Sequence, residues 1–195
     1  MSETIRSFIA VVVLPEAAAR LREAQERLRR VEPGVKWVSP DGLHITLRFL
    51  GGVEQGRLEA VWRSVRAGLE GREAFLMRFR GVGAFPGRSR PRVVWAGVEA
   101  GAEEMAALAE LVEAACERHG FARESRPFRA HLTLGRAREA MPNSALAEAM
   151  DELADAELGE MVVTRVSLMR SELTRRGAIY HELDHVPLRG GGEQR

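Results

Sequence analysis

The chain has 195 residues, of which 45% are hydrophobic and 29% are charged, with a formal net charge of +1. This length allows one large domain or two small lobes with a substantial core. The charge balance excludes a polycationic nucleic-acid coat protein, and the single cysteine, Cys116, excludes an internal disulfide and a thiolate metal cluster.

The first half of the chain alternates strands with helices. FIAVVVLP (8–15) is the longest apolar run and is too short to span a bilayer, and RSFIAVVVLP (6–15) is predicted as a buried strand. No positively charged leader precedes it, so we expect a cytoplasmic protein with no membrane contact. Apolar residues recur every three or four positions over 17–31 and 58–69, which predicts two amphipathic helices. Between them lie a short extended piece (VKWVSP), a turn at SPDG and the strand GLHITLRFLGG (42–52).

The second half repeats this alternation with more strands. AFLMRF (74–79) and PRVVWAGV (91–98) are predicted strands separated by a Gly-rich basic loop, GVGAFPGRSR. A helix over 102–119 precedes the strand FRAHLTLGR (128–136), and a weaker helix is expected within 143–156. MVVTRVSLMRSEL and AIYHEL are predicted as a closing strand pair joined by TRRG.

Several of these strand pairs are joined by short turns, which favours antiparallel sheets with helices on one face. We therefore predict an α+β fold that is bilobal, with two pseudo-symmetric antiparallel-rich sheets, outer helices and a central cleft. No linker separates the halves, so residues 1–187 are expected to form a single domain and residues 188–195 a flexible tail.

Two strands carry matched tetrads, HITL at 44–47 and HLTL at 131–134. In each, strand alternation places the histidine and the threonine on one face and the two aliphatic residues on the other. The same alternation places Phe49 on the aliphatic face of the first strand and Arg48 on its polar face. Composition alone would produce two such tetrads with a probability on the order of 10⁻⁴. The candidate site residues are therefore His44, Thr46, His131 and Thr133.

A pair of imidazoles facing one cleft suits acid/base chemistry, because at neutral pH one can be protonated while the other is neutral. Two threonine hydroxyls between them are suited to binding phosphoryl oxygens. The reaction that needs this set is displacement at a phosphodiester with an alkoxide leaving group. Arg136 could supply a cation for the phosphate, although strict alternation would place it on the leucine face unless the backbone turns after Gly135.

Other readings of these residues remain open. A strand histidine can be a purely structural residue, and two histidines with Asp41 or Glu182 could in principle hold zinc. However, neither an HExxH motif nor a carboxylate cluster is present, and a threonine two places after each histidine serves no metal-binding purpose. We therefore expect no metal and no cofactor. Cys116 is interpreted as a small apolar residue on a helix, and His181 and His185 as exposed residues.

The paired HxTx tetrads and their flanks, VKWVSPDGLHITLRFLGG, GVGAFPGRSRPRVVWAGV and RPFRAHLTLGR, resemble the two-histidine (2H) phosphoesterases. They resemble in particular the RNA 2′,3′-cyclic phosphodiesterases once described as 2′–5′ RNA ligases. The resemblance implies a metal-free site between two lobes that acts on RNA ends or nucleoside cyclic phosphates. It implies that His44 donates a proton to the departing 3′ oxygen and that His131 accepts one from water, which leaves a 2′-phosphate. Thr46 and Thr133 would bind the phosphate, with Arg136 as an accessory cation, and the reverse reaction would join RNA ends.

Two questions of function stay open at this level. The chain could act on another small cyclic phosphodiester, such as ADP-ribose 1″,2″-cyclic phosphate, or bind RNA ends without turnover. Arg88, Arg90 and Arg92 could contact an RNA phosphate, or simply form a solvated loop. Trp37 could stack on a base, although packing under the sheet is the more ordinary role of an indole. We expect a monomer.

Overall fold

The computed structural model describes residues 4–139, 142–174 and 177–191, which form nine strands and four helices. The strands are β1 (Thr4–Val12), β2 (Lys36–Trp37), β3 (His44–Glu54), β4 (Phe75–Phe85), β5 (Val93–Ala100), β6 (His131–Arg136), β7 (Glu157–Val163), β8 (Arg165–Thr174) and β9 (Gly177–Pro187). The helices are α1 (Ala19–Val31), α2 (Gln55–Leu69), α3 (Ala102–Arg118) and α4 (Ser144–Asp151). Within these described ranges, no helix has both the length and the apolar character needed to cross a bilayer.

Two antiparallel sheets contain the nine strands. The first, sheet A, has the order β3-β1-β8-β9, and the second, sheet B, has the order β2-β6-β5-β4-β7. Each half of the chain contains a strand–helix–strand–helix unit, β1-α1-β3-α2 and β5-α3-β6-α4, in which the tetrad strand pairs with the strand that opens the unit. The predicted α+β, bilobal and pseudo-symmetric architecture is confirmed.

A continuous apolar core lies between the helices and one face of each sheet. Its members come from both sheets and from all four helices, which explains the absence of a linker between the halves. Cys116 is fully buried on α3, and its burial raises the pKa of its thiol to about 11. The prediction of a small, unreactive apolar residue at this position is confirmed.

The structure corrects two predicted elements. The predicted loop 81–90 begins in fact as strand, because β4 continues to Phe85 beyond a bulge at Gly81, whose φ of 71° suits glycine. The predicted closing strand 161–173 is two strands, because the chain leaves sheet B at Val163 and enters sheet A at Arg165. β8 and β9 form the predicted hairpin, and residues 175–176 of its turn lie outside the described residues.

The chain remains packed beyond Pro187, where the sequence predicted a flexible tail to begin. Leu188 is buried in the core, and its backbone N–H donates to the carbonyl of Thr164. Arg189 exchanges backbone hydrogen bonds with Arg72 and Ala74. The packed part therefore extends through this segment, while residues 192–195 lie outside the described residues.

Each tetrad strand contains a β-bulge at the fourth residue of its tetrad. The pairing of β1 with β3 shifts register between Thr46 and Arg48, which leaves Leu47 as the extra residue. The pairing of β5 with β6 shifts in the same way between Thr133 and Gly135, which leaves Leu134 as the extra residue. A bulge places two consecutive side chains toward one face, so the alternation reverses after it.

This reversal overturns the sequence prediction for the end of β3. Arg48 lies on the buried face, with a side chain that is 7% exposed, whereas Phe49 is 52% exposed. Nη1 of Arg48 lies 3.2 Å from a carboxylate oxygen of Glu113 on α3 and 2.8 Å from one of Glu124, and Nη2 donates to the carbonyl of Ala122 at 2.6 Å. Arg48 thereby ties β3 to the segment that leads into β6.

We predict that Arg48→Met destabilises the protein by roughly 3–5 kcal/mol, because Glu113 then keeps a buried charge without a cation. The measurement is the free energy of unfolding in urea. Glu124 is largely exposed, so Glu124→Gln should cost less than about 1 kcal/mol. The double variant Arg48→Met/Glu113→Leu should recover much of the loss, and a wild-type stability for Arg48→Met alone would contradict this role.

Candidate active site

His44 is anchored at the start of β3 by the turn that precedes the strand. Residues Pro40–Gly42 form a 3₁₀ turn, and Nδ1 of His44 lies 2.7 Å from the carbonyl oxygen of Gly42. A carbonyl can only accept, so Nδ1 carries the proton and donates, and Nε2 of the neutral ring is left as an acceptor. The imidazole packs at 4.8 Å from the ring of Phe8 and at 4.9 Å from that of Tyr180.

His131 is held in the same way at the start of β6. Its Nδ1 donates to the carbonyl oxygen of Arg129 at 2.7 Å, again two residues earlier in the chain. The rings of Phe85 and His131 meet edge to face with their centroids 5.2 Å apart, and Phe85 in turn packs on Trp95. Both histidines therefore have a fixed tautomer, with Nε2 available for proton transfer.

The threonines lie where strand alternation predicts, on the faces that carry the histidines. Thr46 stands opposite Ala10 on β1, and Thr133 stands opposite Trp95 on β5. Both threonines are half-buried, whereas the aliphatic residues beside them are buried in the core. Each tetrad thus presents one imidazole and one hydroxyl on the same side of its sheet.

Arg136 reaches the histidine face because of the bulge at Leu134. Strict alternation would have placed Arg136 on the leucine face, and the sequence required a backbone turn after Gly135 to bring it to the histidine face. The bulge reverses the alternation one residue earlier, at Leu134. Gly135 now faces the core, where an added Cβ would lie 2.7 Å from the ring of Trp37. Arg136 is exposed, and its charge is among the causes that lower the pKa of His44.

The pKa of His44 lies below its ordinary value of 6.5. Burial of the ring beside Phe8 and Tyr180 is the main cause, since it disfavours the charged form. The hydrogen bond to Gly42 partly opposes this effect, and the positive charge of Arg136 adds to it. The guanidinium on β6 is therefore close enough to act on the imidazole on β3.

A polar residue that the sequence interpretation missed connects β6 to the segment that leads into β3. Gln25 on α1 is 8% exposed, and its amide donates at 2.8 Å both to the carbonyl of Val38 and to that of Leu134, the bulged residue. The N–H of Val38 also donates to the carbonyl of Leu134. From Val38 the chain continues through the 3₁₀ turn directly into His44. The available signal was a glutamine at an inward-facing position of an otherwise apolar helix stripe.

Several other candidates have structural roles. The indole of Trp37 packs against the core and donates to the carbonyl of Glu32, which confirms the packing interpretation. The guanidinium of Arg88 binds Asp151 and the carbonyl of Val82, so this side chain is already engaged. His181 and His185 are exposed, as predicted. Among the described residues, no three His, Cys, Asp or Glu side chains are grouped to hold a metal ion.

We predict that Arg136→Gln raises the pKa of His44 toward 6.5, because removing a nearby cation makes the imidazolium less costly. The measurement is an NMR titration of the imidazole carbon-bound protons. The matched control is Arg29→Gln on the outer helix α1, which should leave the midpoint of His44 unchanged. An unchanged midpoint in Arg136→Gln would show that the guanidinium does not face His44.

Comparison with known proteins places this geometry in a family. The 2′-5′ RNA ligase superfamily matches residues 7–175. The RNA 2′,3′-cyclic phosphodiesterase of Methanothermobacter thermautotrophicus is 38% identical over 92% of this chain and 97% of its own, and that of Archaeoglobus fulgidus is 37% identical over 92% and 98%.

Solved structures agree with this match. The crystal structure of TT0787 of Thermus thermophilus superposes with a TM-score of 0.80 at 32% identity, over 96% of this chain and 100% of that one. The structure of E. coli LigT complexed with 3′-AMP superposes with a TM-score of 0.76 at 26% identity, over 96% and 99%. With its paired tetrads on pseudo-equivalent strands, the chain belongs to the 2′-5′ RNA ligase superfamily of two-histidine phosphoesterases.

Proposed function

We propose that this protein hydrolyses RNA or nucleoside 2′,3′-cyclic phosphate ends to 2′-phosphates by metal-independent acid/base catalysis. The observation that carries the proposal is the pair of imidazoles held alike, each with Nδ1 on the carbonyl two residues earlier and Nε2 left for proton transfer. Relatives that align over nearly the whole chain are named RNA 2′,3′-cyclic phosphodiesterases, which supports this choice of substrate.

In the proposed reaction, Nε2 of His131 takes a proton from a water molecule as its oxygen attacks the phosphorus. The bond between phosphorus and the 3′ oxygen breaks, and His44 donates its Nε2 proton to that departing oxygen. The product keeps the phosphate on the 2′ oxygen, and the two histidines end in exchanged protonation states. Thr46 and Thr133 donate hydroxyl hydrogen bonds to the phosphoryl oxygens, and Arg136 offsets their charge.

The low pKa of His44 bears on its role as the donor. With its pKa below 6.5, the half-buried imidazole is mainly neutral at neutral pH in the free protein. A bound phosphate brings a negative charge to the site, which favours the imidazolium and opposes the effect of Arg136. Substrate binding therefore supplies the condition under which His44 holds the proton that it must donate.

We predict that His44→Ala and His131→Ala each lower kcat on a nucleoside 2′,3′-cyclic phosphate by at least about 10²-fold, because each removes one proton transfer. The assay is run in EDTA, and the product isomer is identified by chromatography. The matched control is His185→Ala, which removes an exposed histidine that pairs with Glu182 and should leave kcat unchanged.

Two outcomes of the same assay would contradict the proposal. Loss of wild-type activity in EDTA would show that the reaction needs a metal ion. Tight binding of the cyclic nucleotide without turnover by the wild type would support a module that binds RNA ends. A third outcome, faster turnover of a different small cyclic phosphodiester, would leave the acid/base chemistry in place but assign the protein another substrate.

We predict that a substrate with sulfur at the 3′ bridging position separates the two histidine roles. A thiolate leaves without a proton, so this substrate should restore at least about 10-fold of the activity lost in His44→Ala. It should restore none in His131→Ala, since water must still be deprotonated. The measurement is the ratio of kcat for the sulfur and oxygen substrates in each variant, and rescue of His131→Ala instead would reverse the assignment.

Four further expectations belong to this proposal. With a 5′-hydroxyl RNA end in place of water as the nucleophile, the same site would displace the 3′ oxygen and form a 2′–5′ bond. Residues 1–187 are proposed to act as one domain, since the two halves share a core, and Leu188, which the sequence assigned to the tail, packs with it. We also expect a monomer that works in the cytoplasm, where RNA ends are available.

A further inference from the structure

Lys36, the chain's single lysine, stands beside Arg136 on the face of sheet B that carries His131. Lys36 on β2 is the direct cross-strand partner of Arg136, and Trp37 is the partner of Gly135. Directly opposed residues of an antiparallel pair share a face. Since Trp37 and Gly135 face the core, Lys36 lies with Arg136 on the opposite, open side, and its side chain is exposed.

This pair of cations is not neutralised within the described part of the chain. Directly opposed like charges destabilise a strand pair. Neither Lys36 nor Arg136 has an ion-pair partner among the described residues. Elsewhere on the same sheet the arginines are paired, with Arg80 at 2.8 Å from Glu99 and Arg78 at 3.1 Å from Glu160. Two adjacent cations without a carboxylate partner, at the margin of the site, are suited to binding an anionic ligand.

The position of Lys36 distinguishes it from the residues around the reacting phosphate. It lies on the edge strand of sheet B, one strand beyond β6 and level with Arg136. Because Leu134 is bulged, the levels of Thr133 and Arg136 are only two residues apart on β5, at Trp95 and Val93. With a rise of about 3.4 Å per residue, the offset from Thr133 along the strand is roughly 7 Å, and Lys36 lies a further strand spacing of about 4.8 Å away across the sheet. Arg136 on β6 lacks this extra strand spacing, so it lies nearer the phosphoryl group that Thr133 is proposed to bind. The position of Lys36 suits instead the neighbouring phosphate of a longer chain.

We propose that Lys36 binds the phosphodiester that joins the terminal nucleotide to the rest of an RNA, so that the site favours RNA ends over single nucleotides. The inference rests on the proposed cyclic phosphodiesterase function. The ammonium of Lys36 suits this contact, because its long flexible side chain can bind a backbone phosphate in more than one orientation. Arg136 is left to act on the reacting phosphate and on His44.

The test compares a pentanucleotide that ends in a 2′,3′-cyclic phosphate with the corresponding nucleoside 2′,3′-cyclic phosphate. Lys36→Met should lower kcat/KM for the pentanucleotide by roughly 3- to 5-fold and change that for the nucleoside by less than about 2-fold. The slope of log kcat/KM against log salt for the pentanucleotide should become shallower by about 0.7, the value for one contact to a single strand. Lys36→Arg should retain the wild-type preference.

The matched control is Arg63→Met, which removes an exposed cation from α2 and should change neither substrate. An equal loss on both substrates, or no loss on the pentanucleotide, would overturn the role of Lys36 while the wild type remained an active phosphodiesterase. Failure of the wild type on both substrates would instead overturn the proposed function, and this inference with it.

Discussion

The bulge at the fourth residue of each tetrad is the constraint on which the site depends. Without the bulge on β6, strict alternation would point Arg136 into the core. Without the bulge on β3, Phe49 would face the core and Arg48 would lie on the open face. At β6 the bulge is held by hydrogen bonds to the carbonyl of Leu134, one from the amide of Gln25 and one from the N–H of Val38. A buried carbonyl without partners would be costly, so these bonds stabilise the local geometry.

The bulge on β3 places Arg48 on the buried face of its strand, where this side chain links the first half of the chain to the second. Arg48 binds Glu113 on α3 and the carbonyl of Ala122. The segment after Ala122 leads to β6, so the ion pair positions one tetrad strand relative to the other. A buried charge must be matched by an opposite charge and by hydrogen bonds, which makes this link geometrically specific.

The two histidines are anchored alike but surrounded differently. Each donates from Nδ1 to the carbonyl two residues earlier, as expected for duplicated strands. His44 is half-buried beside Phe8 and Tyr180 and lies in the field of Arg136, whereas His131 meets the ring of Phe85 edge to face. Burial and the nearby guanidinium lower the pKa of His44, so the two anchored imidazoles of this nearly symmetric site are not equivalent in their surroundings.

The sequence by itself determined the two tetrad strands, the helices at apolar spacing and the α+β class, because each depends on local periodicity that is visible in the chain. It also placed His44 and His131 on the open faces of their strands. Only the tertiary structure decided the orientation of Arg48 and Arg136, because a bulge is set by a partner strand and by a distant residue such as Gln25. The tertiary structure also decided that the apolar run 161–173 forms two strands. β7 ends at Val163 in sheet B and β8 begins at Arg165 in sheet A, because the chain packs against different partner strands on either side of this point.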